Sequence, residues 1–148
     1  MNINNPVTIR SLTAADYDQA LALWQVCEGI GLSDADSRCG ITRYLDRNPG
    51  LSFAAFEGDK LIGTILGGHD GRRGYIHHLA VHPDYQHRGI GKKLAESTLE
   101  ALKSDGINKV HLFILNSNKS GMEFWEHLGW TVRKDISVVS LVLEKGTC

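Results

Sequence analysis

Residues 75–93, Tyr75-Ile-His-His-Leu-Ala-Val-His-Pro-Asp-Tyr-Gln-His-Arg-Gly-Ile-Gly-Lys-Lys93, constrain this chain more than any other stretch. The run from 75 to 82 is apolar and rich in strand formers, and Pro83-Asp84 ends it. Gln86-His-Arg-Gly-Ile-Gly91 then leads into residues 92–103, where leucines and alanines recur with helical periodicity. A glycine-bearing loop that enters a helix gathers unpaired backbone N–H groups at the positive end of the helix dipole, a setting suited to phosphate. The fold must therefore supply a strand, a tight loop and a helix in succession, and the expected ligand is a pyrophosphate-bearing cofactor.

The remaining segments follow from the same local rules. Val7-Thr-Ile-Arg10 reads as a strand, and Thr13 as the cap of a helix over 14–27 whose apolar face carries Tyr17, Ala20, Leu21 and Trp24. Gly29-Ile-Gly31 ends it. Ser33 caps a second helix with Asp34 and Asp36 in its first turn, interrupted by Gly40 before Ile41, Tyr44 and Leu45. Residues 51–56 and 61–66 form a hairpin about the turn at 57–60, and a glycine-rich turn leads into the strand at 75. After the helix at 91–104, Val110–Leu115 reads as a central strand buried on both faces. A short helix at 119–128 and a last strand at Ile136–Glu144 complete the order β-α-α-β-β-β-α-β-α-β, an α/β (α+β) sandwich forming a single domain over 1–148.

The 148 residues, 42% hydrophobic and 22% charged, are ordinary for a globular domain. A net charge of −1 gives no global pull towards nucleic acid or an anionic membrane, so neither is expected as a partner. The small basic group of Arg72, Arg73, Arg88, Lys92 and Lys93 better suits a phosphate-binding mouth. Cys27, Cys39 and Cys148 are odd in number and far apart, which argues against a disulfide framework and a structural zinc site. Met1–Pro6 lacks a signal-peptide pattern, and no apolar run approaches the roughly 20 residues of a membrane span, so a cytoplasmic location is expected. Oligomeric state is silent; a homodimer is left open.

Two blocks resemble the GNAT superfamily of acetyl-CoA-dependent N-acetyltransferases. The family's phosphate loop, Arg/Gln-x-x-Gly-x-Gly/Ala, is matched by Gln86-His-Arg-Gly-Ile-Gly91, preceded by Leu79-Ala-Val-His-Pro-Asp-Tyr85. Downstream, Asn118 and Phe124-Trp-Glu-His-Leu-Gly-Trp130 resemble the family's Asn followed by Phe-Tyr-Glu-x-Leu-Gly-Phe. The resemblance implies a mostly antiparallel central sheet flanked by helices, acetyl-CoA as cofactor and an amine acceptor. It implies that backbone N–H groups of His87, Arg88, Gly89, Ile90, Gly91 and Lys92, with Gln86, bind the pyrophosphate. Leu79, Ala80 and Val81 would pair with the pantetheine arm, Val81 N–H would polarise the thioester carbonyl, and Asn118 and Trp125 would meet the cofactor arm.

An attacking amine must first be neutral. A lysine-like amine is neutral only about one part in a thousand near pH 7.4, a deficit of roughly 4 kcal/mol, whereas an α-amine is neutral nearly a third of the time. Strand alternation puts Tyr75, His77, Leu79 and Val81 on one face and Ile76, His78 and Ala80 on the other. Members of the family with a His-x-His-x-Leu-Ala-Val-His pattern are held to relay protons through its first two histidines, which Tyr75 and His77 match. His77 is thus the expected base, directly or through water, with Tyr75 beside it and His78 pointing away. Trp125 stands where the family's usual tyrosine acid would be. An indole N–H does not titrate usefully, so the departing thiolate, a good leaving group, is expected to take its proton from water.

The sequence also admits two rival readings. A non-catalytic acyl-CoA sensor is prompted by Trp125. A metal-dependent hydrolase is prompted by His77, His78, His82 and His87, although their spacing is not H-E-x-x-H and strand neighbours point apart. No motif names the acetyl acceptor; Asp34, Asp36, Arg72 and Arg73 are candidates for reading its charge.

Overall fold

The computed structural model describes residues 5–146 and 148. Its elements are β1 (Val7–Ser11), α1 (Tyr17–Val26), α2 (Arg38–Arg47), β2 (Phe53–Glu57), β3 (Lys60–His69), β4 (Gly74–Val81), α3 (Ile90–Ser104), β5 (Val110–Leu112) and α4 (Lys119–His127). The strands form one sheet in the order β1-β2-β3-β4-β5. Every pairing is antiparallel except β4–β5, whose two strands run parallel because α3 carries the chain back to the same end. The mixed, mostly antiparallel sheet flanked by helices is as expected.

One face of the sheet is covered by α1 and α2, through Tyr17, Ala20, Leu23, Trp24 and Ile41 against Ala54, Phe56, Leu66 and Ala80. The other is covered by α3 and α4, where Leu94, Ala95 and Trp125 meet Ala55, Ile62, Ile65 and Ile76. Gly40 does not interrupt α2. A Cβ there would stand 2.4 Å from the Ala35 carbonyl oxygen, so glycine lets the helix start close against the preceding 3-10 turn at Asp34–Asp36.

The alternation of β4 breaks in the middle. Thr64 pairs with Ala80 and Leu66 with His77, so one residue of β3 faces two of β4, the signature of a β-bulge. His78 carries it, with a positive φ of 48° that a non-glycine residue rarely adopts. The wholly buried Thr64 hydroxyl holds it there, donating to the His78 carbonyl at 3.0 Å and accepting from Trp24 Nε1 at 2.9 Å. Thr64→Val leaves the buried Trp24 N–H and the half-buried His78 carbonyl without this partner. We expect it to destabilise the protein by about 2–4 kcal/mol, read from urea unfolding.

Three expectations are corrected. The strand at 110–115 stops at Leu112: residues 113–118 turn away, closed by the Asn118 N–H to Leu115 carbonyl bond at 2.9 Å, and Phe113 and Leu115 are exposed. Ile136–Glu144 is not a strand. Strand-forming residues need a pleated partner surface, and this segment is carried instead towards α2, where Gly146 N–H meets Asp34 Oδ2 at 3.1 Å. Finally, Cys39 and Cys148 form a single disulfide across 109 residues of sequence, leaving Cys27 as the free thiol.

Candidate active site

The parallel pairing of β5 engages only residues 74–76 of β4. Beyond Ile76 the two strands separate, leaving one edge of β4 from 77 to 81 without a strand partner among the described residues. His82 N–H bonds the Ile62 carbonyl at 2.8 Å, which makes that the hydrogen-bonded pair and Val81–Gly63 the next, non-bonded one. By the antiparallel rule the Val81 N–H then faces away from β3, into the opening. The Val81 carbonyl is already taken, by Gln86 Nε2 at 3.1 Å and more weakly by Cys27 Sγ at 3.5 Å. Burial raises the Cys27 thiol above its ordinary value, so it stays a donor.

At the end of β4 the chain makes the expected loop. Tyr85 is buried beneath it, with its hydroxyl on Glu57 Oε1 at 2.5 Å and the Arg88 guanidinium over its ring. Gln86 is an anchor that ties the loop back to the strand. His87 and Gly89 have positive φ values of 65° and 78°, and Gly89 caps α3. The first helical bond runs from Lys93 N–H to the Gly89 carbonyl at 3.1 Å, so the amides of Ile90, Gly91 and Lys92 precede the helix's own ladder. Left-handed residues within such a turn gather amides around a concavity. Gln86, His87, Arg88, Gly89 and Lys92 are exposed there, whereas the Ile90 side chain is buried under the loop.

The bulge redistributes the strand's side chains. Tyr75 and His77 share the α2 face as expected, His77 lying edge-on to Tyr44 with ring centres 6.1 Å apart and beside Phe113 at 6.2 Å. Leu79 and Val81 do not join them; both pack into the core on the α3 side, while Ala80 faces α1. His78 does not point away. Its ring sits 4.8 Å from that of Trp24, and its Nε2 is 2.7 Å from Asp36 Oδ1. Burial, and then the neighbouring His78, lower the His77 imidazole below its ordinary value against an opposing pull from Asp36. Asp36 is therefore an interior partner of a histidine, while Arg73 reaches Asn108 Oδ1 in the turn before β4. Asp36, Tyr44 and His78 are the residues that alternation alone missed.

Across the opening, Asn118 caps α4 by accepting from Gly121 N–H at 3.0 Å, and its side chain lies against the Gly29 backbone. Trp125 is 8% exposed and packs between Phe124 and Trp130, with ring centres 5.1 and 4.8 Å away. Trp125→Tyr should therefore cost about 1–3 kcal/mol by leaving a cavity, without raising turnover; an increased kcat would show that thiolate protonation limits the reaction. Among the described residues no three His, Cys, Asp or Glu side chains gather as a metal site, and no helix is long and apolar enough to cross a membrane.

The family model described as the acetyltransferase (GNAT) family matches residues 17–130. The chain belongs to that family. An acetyltransferase of Sodalis glossinidius is 30% identical over 128 residues, covering 86% of this chain and 89% of its relative. One from Pectobacterium atrosepticum is 29% identical over 136 residues, covering 92% and 96%. Among solved structures, the PaiA N-acetyltransferase of Thermoplasma acidophilum, in complex with coenzyme A, superposes with a TM-score of 0.76 at 22% identity, covering 86% of this chain and 91% of that one. The match spans both GNAT blocks read from the sequence, the loop after β4 and the Asn118–Trp130 segment.

Proposed function

We propose that this chain is an N-acetyltransferase that transfers the acetyl group of acetyl-CoA to an amine by direct attack within a ternary complex. The observation that carries this reading is the opening between β4 and β5, with the Val81 N–H facing it and the Gly89 loop at its end. A pantetheine arm can add to that free strand edge as another strand would. The amides of His87 to Lys92, with Arg88 and Lys92 beside them, suit the pyrophosphate, while Leu79–Val81, Asn118 and Trp125 border the arm.

When bound, the thioester supplies the activated acyl carbon. Val81 N–H donates to the carbonyl oxygen as charge grows on it, a contribution of about 3–4 kcal/mol for one well-placed donor. The face of β4 that meets α2 receives the acceptor, with Tyr75 and His77 lining it. A neutral His77 accepts a hydrogen bond from the incoming nitrogen and remains a candidate base. Trp125, packed in the core, offers no titrating proton, so protonation of the thiolate would fall to water.

Thiol release from acetyl-CoA, followed with a panel of alkylamines, amino acids, aminoglycosides and peptide N-termini, tests the function. Amine-dependent release supports the transferase. Tight coenzyme A binding without release for any amine would instead favour the sensor reading.

A further inference from the structure

The β4 bulge gives the acceptor face a second imidazole, and that imidazole has a carboxylate behind it. We infer that His78, held by Asp36, takes the proton that the attacking amine must lose. This rests on the acetyltransferase reading and names the base within it.

The geometry is that of a hydrogen-bonded base and its orienter. Asp36 Oδ1 lies 2.7 Å from His78 Nε2 and fixes the tautomer with the proton on Nε2, leaving the Nδ1 lone pair free. Asp36 is itself held in place: Oδ2 accepts from Ser33 N–H at 2.9 Å, and its backbone carbonyl accepts from the Tyr17 hydroxyl at 2.6 Å. Among the described residues, Tyr44 Oη is the buried side-chain polar atom without a partner. Among the described residues Nδ1 of His78 has no protein partner, and the His78 side chain keeps 14% of its surface exposed. Around the His78 ring stand Trp24 from α1, Asp36 from the turn before α2 and His77 from its own strand. Asp36 is the only negative charge among them, and it neutralises the imidazolium that forms. His77 has no such contact. Its burial disfavours the charged form.

The protons balance. An ammonium nitrogen gives up two in becoming an amide: one passes to His78 Nδ1 and then to water, and the other ends on the sulfur. The N–C bond forms with the amine's lone pair, and the C–S bond breaks with its electrons on sulfur. His78 touches the substrate in this scheme and is catalytic; Asp36 acts through it and is a positioning residue.

Two measurements test this. Nitrogen-15 NMR of the histidine side chains at neutral pH should show His78 protonated on Nε2 with an unprotonated Nδ1; a proton on Nδ1 alone overturns the inference. His78→Gln keeps a donor for Asp36 and hence the local fold. It should lower kcat by about 10²- to 10⁴-fold with benzylamine, which is protonated at neutral pH, but less than about tenfold with aniline, which is already neutral. Asp36→Asn, which preserves the Ser33 contact, should show the same dependence on amine basicity with a smaller loss. Equal losses for the two amines make the pair structural and sink the base alone. No thiol release from the unmodified protein with any amine sinks the acetyltransferase reading itself, and this base with it.

Discussion

Gly89→Glu is expected to abolish coenzyme A binding, measured by calorimetry, with affinity falling at least about 100-fold. Gly89 caps α3 at φ 78°, and a Cβ there meets nothing within 4 Å. The protein therefore does not crowd this position; the added carboxylate would occupy the space in front of the free helix amides. Two effects combine. A side chain in the left-handed region costs about 1–2 kcal/mol, and a negative charge at the helix N-terminus repels the phosphates that the helix dipole would attract. Gly89→Ala separates them, because it carries the strain without the charge and should lose far less affinity. Unchanged affinity in the glutamate variant would mean that the pyrophosphate lies elsewhere.

Val81→Pro is expected to lower kcat by about 10²- to 10³-fold while coenzyme A still binds. Proline removes the N–H, and at this residue the N–H belongs to the open edge of β4, not to the β3 ladder. The change thus deletes the donor proposed for the thioester oxygen without removing an interstrand hydrogen bond, in the edge setting where sheets accept proline. Val81→Ala supplies the baseline for losing the side chain from the α3-side core. If the proline and alanine variants share one kcat at matching unfolding midpoints, the Val81 amide does not polarise the acyl group.

The sequence made the succession of elements from β1 to α4 legible, because strand alternation, helical periodicity and glycine turns are local properties. The loop between β4 and α3 was legible for the same reason: Gly89 announces its positive φ by its identity. The bulge was not. Nothing in Tyr75-Ile-His-His-Leu-Ala-Val81 marks His78 as the extra residue. That fact belongs to the pairing with β3, where Thr64 meets Ala80 and Leu66 meets His77. A single irregularity moved Leu79 and Val81 to the opposite face and brought His78 in. The final strand failed for a related reason, since Ile136–Glu144 has strand-forming side chains but its course is set by the contacts of Gly146 and Cys148 with α2 and the turn before it. Asp36 stood out in the sequence only as a first-turn acid that could read the acceptor's charge, and only the fold brings it to His78.

The Cys39–Cys148 bridge closes the chain into a ring that contains β4, the Gly89 loop and α4, and begins within α2. A single backbone cut anywhere in that ring leaves one covalent molecule, with both sides of the cleft still tethered. In the unfolded chain the same ring, on the order of 100 residues, removes conformations worth about 4–5 kcal/mol in the chain-entropy picture. Reduction would therefore leave the two halves of a nicked chain held by non-covalent packing alone.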